Sequence, residues 1–358
     1  MELKKGNKIM RTLDEKLLGT LTLAAIGDAM GSVTENMPFD KIRKEFGGSV
    51  TTFLKPGKTA FAFGNEAGQI TDDFSQLFLV SKEILNNKGV ISSLAVKKAM
   101  LKWADMPQYF NRFAGPTTRS AIAMYRSSEQ VMEPLEGAVT VDYASKATNG
   151  AAMKIAAAGM FNPDDIDSAI KSSVIMTKVT HDNSLAISGS AAVAAATSVS
   201  YKDDVSFDDL IDAGFYGAKV GLGIGKEESH YVAGPDVSAR MQLAITIVDG
   251  PGTKNQKLLR LANVVGSGLH ISEAVPCAFG LVRLNQGNPL QAVIDAVNIG
   301  YDTDTIATIV GSMVGGLQKM TDQISKMLNQ LETANGLNIR QLAIDIAASV
   351  EDQRISAS

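Results

Sequence analysis

Residues 302–317 read DTDTIATIVGSMVGGL, and this stretch decides the fold. Ile306, Ile309, Val310, Met313, Val314 and Leu317 recur at the spacing of one helical face. Thr308, Gly311, Ser312 and Gly315 form a second face of small residues, which lets neighbouring helices come close. A helix that is apolar on one face and small on another is buried on most sides, and it belongs at the centre of a helical assembly. Asp302 and Thr305, three apart, project on the same side as Ile306 and Ile309. The helix therefore carries a carboxylate where a core begins.

Working outward, the rest of the chain supports an all-α reading. Aromatics are only 6% of the 358 residues while Ala, Gly and Met are plentiful, which disfavours β-structure. Thr12-Leu13-Asp14-Glu15 has capping-box spacing and opens a first helix. Leu17, Leu21, Ala24 and Asp28 then share its buried stripe, where a lone carboxylate is costly without a partner. Gly27 and Gly31 bracket Asp28 and mark the helix end, and the loop beyond carries Glu35. Residues 36–70, with Pro38, Pro56 and several glycines, read as irregular. A helix restarts at Thr71, a good N-cap residue.

Amphipathic segments follow at 91–105, 117–127, 164–178, 206–222, 236–249 and 289–299. Residues 184–199 form a small-residue helix for a crowded interior. Residues 258–284 read as one helix bent or broken at Pro276, and 321–348 as a closing amphipathic stretch. The last ten residues are expected to fray. With no internal repeat or composition break, the expectation is one domain over 12–348, with flexible termini at 1–11 and 349–358.

Composition excludes several classes. A formal net charge of −4 without a Lys/Arg-rich run argues against a nucleic-acid partner. The single cysteine, Cys277, precludes an internal disulfide framework and fits a reducing compartment. The basic N-terminal residues precede no apolar stretch of signal-peptide length, and no segment is apolar enough to span a membrane. The expectation is a soluble cytoplasmic protein that acts without a membrane.

Two acidic motifs stand out against this background: Thr71-Asp72-Asp73 and Asp302-Thr303-Asp304-Thr305, each at a helix start where the dipole favours carboxylates. Thr and Asp are also common caps, so each motif taken alone reads as a cap. Together, with Asp302 opening the most buried helix, they point to a shared cation, because unpaired core carboxylates would be strongly destabilising. Oxygen-only ligation favours Mg²⁺, Mn²⁺ or Ca²⁺ over zinc.

Six motifs in order resemble the ADP-ribosylglycohydrolases, the group that includes the dinitrogenase reductase-activating glycohydrolases. They are Gly27-Asp28-Ala29-Met30-Gly31 with Glu35, Thr71-Asp72-Asp73, Gly115-Pro116-Thr117-Thr118-Arg119, Asn149-Gly150-Ala151-Ala152-Met153-Lys154, Thr180-His181 and Asp302-Thr303-Asp304-Thr305. The resemblance spans Leu17 to Gly316 and implies a single-domain orthogonal multi-helix bundle. It implies two Mg²⁺ or Mn²⁺ ions held by Thr71, Asp72, Asp73, Asp302, Asp304 and Thr305. It further implies metal-assisted hydrolysis of an N- or O-glycosidic bond to ribose through an oxocarbenium-like transition state, with Asp73 and Asp304 at the reacting centre.

In the same terms Glu35 is a gating or acid/base residue and Asp28 orients a ligand or a metal-bound water. Gly115, Thr117 and Thr118 match a diphosphate-contacting loop, which also reads as a plain cap. Asn149, Gly150 and Met153 match the ribose and adenine side, though Met153 also reads as core packing. His181 matches a substrate-side residue, though a lone histidine is as often a satisfied core residue. Three departures touch the expected pocket: Phe74 where many relatives carry Thr, and Tyr301 and Thr148 where many carry Gly.

The leading expectation is removal of ADP-ribose from a modified protein side chain. The alternative is the same machinery acting on a nucleoside, nucleotide or ADP-ribose derivative. A third reading is a non-catalytic, crystallin-like relative, against which all six ligands are present. The sequence leaves linkage, anomer and oligomeric state open. Residues 217–226 (GAKVGLGIGK) lack the spacing of a phosphate loop or dinucleotide fingerprint and read as close helix packing or a loop.

Overall fold

A computed structural model of the chain describes residues 10–127 and 143–357. Its first nine helices are α1 (Leu13–Gly31), α2 (Phe39–Glu45), α3 (Asp72–Asn86), α4 (Ser93–Ala104), α5 (Pro107–Phe113), α6 (Pro116–Arg126), α7 (Ala156–Met160), α8 (Ile166–Lys178) and α9 (Ser184–Val199). The rest are α10 (Phe207–Glu228), α11 (Val237–Asp249), α12 (Lys254–Arg260), α13 (Ile271–Leu284), α14 (Pro289–Val297), α15 (Thr303–Val314), α16 (Asp322–Asn335) and α17 (Ile339–Ala357). No strand occurs among the described residues; two isolated bridges, Thr148 to His270 and Asn183 to His230, tie loops together. The all-α multi-helix expectation therefore holds. Among the described residues no helix is long and apolar enough to cross a membrane.

The centre is the pair α1 and α15, every residue of α15 being buried. Their backbones touch because the side chains between them are absent. A Cβ at Gly31 would lie 2.4 Å from Asp304 Cα, and one at Gly311 would lie 2.4 Å from Leu23 O. Small residues thus let the acidic end of α15 sit directly against the last turn of α1. The same logic joins α9 to α10: a Cβ at Gly217 would meet Ala191 O at 2.4 Å. Gly217, Gly221 and Gly225 are packing residues within α10, while Gly223 faces open space.

Three boundaries differ from expectation. Pro276 lies inside α13 without breaking it. Its missing N–H would leave the Ser272 carbonyl unpaired, and Arg240 Nη1 donates to that oxygen at 3.2 Å. The break falls earlier, at Gly266, where φ is +91° after a π-turn over Leu261–Val265. The closing stretch divides into α16 and α17 at Gly336, a left-handed C-cap. The expected fraying from 349 onward is also corrected, since α17 runs to Ala357. Its end is fastened by Arg354 Nη2 to Pro163 O at 3.0 Å and Gln353 Nε2 to Lys88 O at 3.1 Å. At the other terminus Arg11 donates to Gln318 O and Gly316 O, while residues 1–9 lie outside the described residues.

Candidate active site

The site forms where the last turn of α1 meets the first turns of α3 and α15. Asp28, fully buried, accepts from Thr71 N at 2.9 Å, Thr71 Oγ1 at 2.7 Å and Phe74 N at 2.8 Å. A carboxylate from α1 therefore caps α3, satisfying donors its first turn would otherwise leave unpaired. Asp302, the N-cap of α15, accepts from Asn149 Nδ2 at 2.5 Å, while its own amide donates to Ser267 O at 3.0 Å. Those bonds connect α15 to the segment before α7 and to the loop before α13.

The carboxylate oxygens of Asp28, Asp73 and Asp304 lie within 4.8 Å of one another, and so do those of Glu35, Asp302 and Asp304. Asp304 belongs to both triads. Among the described residues Asp72 joins neither, although it lines the same cleft. Asp73 Oδ1 and Glu35 Oε2 are buried without a hydrogen-bond partner. Burial, reinforced by neighbouring carboxylates, pushes Glu35 up to about 9 and Asp72 up to about 8. Burial pushes Asp28 to about 6, against its hydrogen bonds from Phe74 and Thr71, and raises Asp73, Asp302 and Asp304 as well.

Such a set of crowded carboxylates is tolerable in its charged form only beside a cation. The unpartnered oxygens of Asp73 and Glu35 and the all-oxygen donor set fit a hard divalent ion. Lys154 supplies one positive charge within the protein. It is buried, bonded to Gly150 O, and attracted by Asp72 and Asp73.

Almost every residue singled out in the sequence lines one cleft of about 130 Å³. Glu35, Asp72, Asp73, Asp302, Asp304 and Thr305 form its acidic part. Gly115, Thr117 and Thr118 contribute the start of α6, and Asn149, Gly150, Met153 and His181 complete the wall. Asp28 and Thr71 do not line it; they sit behind Asp73, where Thr71 Oγ1 also lies 3.2 Å from Asp73 Oδ2. His181 is held between Thr148 Oγ1 at 2.9 Å and Thr180 Oγ1 at 2.7 Å. Burial, then Lys154 and Lys146, lowers its pKa far below the ordinary value, so its ring is neutral.

Of the three departures only Thr148 faces this cleft. The expectation that Phe74 reshapes the pocket is corrected, because its ring is fully buried in the apolar core. Tyr301 turns into a neighbouring cavity, with φ at +66°, a region that favours glycine. The sequence reading missed Phe61, Phe113, Leu269 and Lys154. Lys154 stood inside a quoted motif and Leu269 inside a stretch read as helix, while Phe61 and Phe113 sit in segments with no periodic signal.

The chain belongs to the ADP-ribosylglycohydrolase family, whose model matches residues 10–355. It is 29% identical over 337 residues to "Uncharacterized protein YegU" of Escherichia coli K12, covering 93% of this chain and 96% of that protein. An "Uncharacterized protein" of Archaeoglobus fulgidus is 24% identical over 305 residues, covering 85% of this chain and 88% of the relative. A solved "ADP-ribosylglycohydrolase-related protein complex" has the same fold, with TM-score 0.63 at 16% identity over 95% of this chain and 100% of that one.

Proposed function

We propose that the protein is a metal-dependent hydrolase that cleaves an N- or O-glycosidic bond to the ribose of ADP-ribose, releasing it from a modified protein side chain. The observation that carries this reading is the pair of carboxylate triads sharing Asp304 in a cleft walled by the start of α6. Thr71, Asp72, Asp73, Asp302, Asp304 and Thr305 would hold two Mg²⁺ or Mn²⁺ ions, with Asp28 fixing Thr71 from behind. When bound, such ions orient ribose hydroxyls and lower the pKa of water.

The chain's own residues do the remaining work. The amide end of α6 offers donors to a phosphate, with Thr117 and Thr118 beside it. Asn149 keeps Asp302 oriented, and the neutral His181 positions the Thr148 edge of the wall. Glu35 carries a proton at neutral pH in the metal-free protein and is the group placed to exchange one with the leaving atom or the attacking water.

A second reading, a nucleoside or nucleotide substrate, is favoured by the cleft volume of about 130 Å³, which suits one sugar more than a whole ADP-ribose. Mass spectrometry of products from ADP-ribosylated proteins and from free nucleosides, with and without Mn²⁺, separates the two. Free ADP-ribose released from protein is expected. Cleavage of nucleosides alone overturns the protein-substrate reading, and no metal-stimulated cleavage of any ribosyl bond overturns both.

A further inference from the structure

Phe61 occupies an unusual position for a phenylalanine. It is 52% exposed, yet it lines the acidic cleft together with Phe113, which is 7% exposed. The two rings meet edge to face, with centroids 5.8 Å apart and planes at 62°. Leu269, 54% exposed, lines the same cleft from the loop before α13.

The loop that carries Phe61 is fastened to α5. Arg112 donates from Nη1 to Asn65 Oδ1 at 2.6 Å and from Nη2 to Phe63 O at 2.9 Å and Ala62 O at 3.3 Å. The same guanidinium lies 4.7 Å from the centre of the Phe113 ring. One arginine thus holds the loop backbone and backs the ring against which Phe61 rests. The result is a pre-set apolar edge on a cleft whose other residues are chiefly carboxylates, hydroxyls and amides.

We infer that Phe61, supported by Phe113 and Arg112, is a stacking subsite for a planar nucleobase ring carried by the ribosyl substrate. This rests on the ribosyl-hydrolase reading and deepens it. An aromatic face stacks on any base, since every base presents a π-face, whereas an aliphatic chain offers it only dispersion contact. The carboxylates take the reacting sugar and Phe61 takes a base of the same substrate. That ring is either the base on the scissile carbon or the adenine of ADP-ribose.

Binding measured by calorimetry on the full chain with Mg²⁺ tests this without turnover, using ribose 5-phosphate, a non-hydrolysable C-nucleoside and ADP-ribose. In the wild type at least one base-bearing ligand binds on the order of tenfold tighter than ribose 5-phosphate, and Phe61→Ala removes that advantage while leaving ribose 5-phosphate unchanged. Phe61→Trp retains it. Loss with the C-nucleoside places the base on the scissile carbon, and loss with ADP-ribose alone places the adenine at Phe61. A Phe61→Ala protein of native circular dichroism that keeps the full base advantage, or that weakens all three ligands equally, overturns the subsite. Failure of the ribosyl-hydrolase reading would appear separately, as absence of cleavage by the wild type.

Discussion

Asp28 binds both the amide and the hydroxyl of Thr71, at 2.9 and 2.7 Å, so the end of α1 caps the start of α3 across 43 positions of sequence. One side chain therefore holds a helix terminus and aims a candidate ligand. Asp28→Ala leaves Thr71 N and Phe74 N without their acceptor in a buried place. It is expected to lower stability by about 2–4 kcal/mol, read by urea denaturation. Asp28→Asn, which keeps one acceptor oxygen, loses less stability. A fully stable Asp28→Ala protein would remove the capping role.

The raised carboxyl groups make a pH prediction whose sign is fixed. An acid whose folded pKa is raised binds protons more tightly folded than unfolded, so stability is greatest below the ordinary value of about 4 and falls as pH rises. Each loss builds as pH rises above about 4 and is complete by about 6 at Asp28, about 8 at Asp72 and about 9 at Glu35. Lys154, lowered to about 8 by burial, acts in the opposite sense as one group against several. In EDTA the Tm should drop steadily from about pH 5 to about pH 9, and Mg²⁺ or Mn²⁺ should raise it most at the alkaline end. A Tm that climbs with pH in EDTA contradicts this.

Asp304 belongs to both carboxylate triads and Asp302 to one. Asp304→Ala should therefore bind less metal per chain than Asp302→Ala, measured by elemental analysis after dialysis. Both should lose activity beyond the roughly 10–100-fold typical of losing a residue that only supports a metal ligand. Helical content should be unchanged in each. Full activity in either variant would displace these residues from the reacting centre.

Gly31→Ala probes the backbone contact that brings α1 to α15. Its Cβ would fall 2.4 Å from Asp304 Cα, against backbone that cannot rotate away. A destabilisation of about 3 kcal/mol, at the upper end for overpacking, is expected with a fall in metal affinity. Thermal denaturation with and without Mn²⁺ reads both; an unperturbed Tm would show that the two helices can separate without cost.

Much of the bundle was legible because its signals are local. The small-residue run at 184–199 became α9 over Ser184–Val199, capped by Asn183, whose side chain accepts from Ala186 N. The misplaced break at Pro276 had a distant cause, since the arginine that repairs it comes from α11. The length of α17 was equally hidden, because the Pro163 and Lys88 carbonyls that hold its end are remote in sequence.

The sequence by itself determined the helical class, the acidic caps on α3 and α15 and the motif order of the family, since each is written in residues a few positions apart. Tertiary structure decided which carboxylates meet. It placed Asp28 behind Thr71, made Asp304 common to two triads, turned Phe74 into the core and brought Phe61 to the cleft. The reason is steric. The meeting of α1 with the α15 cap depends on backbones approaching where Gly31 and Gly311 have no side chain, and such an approach is a property of two helices together.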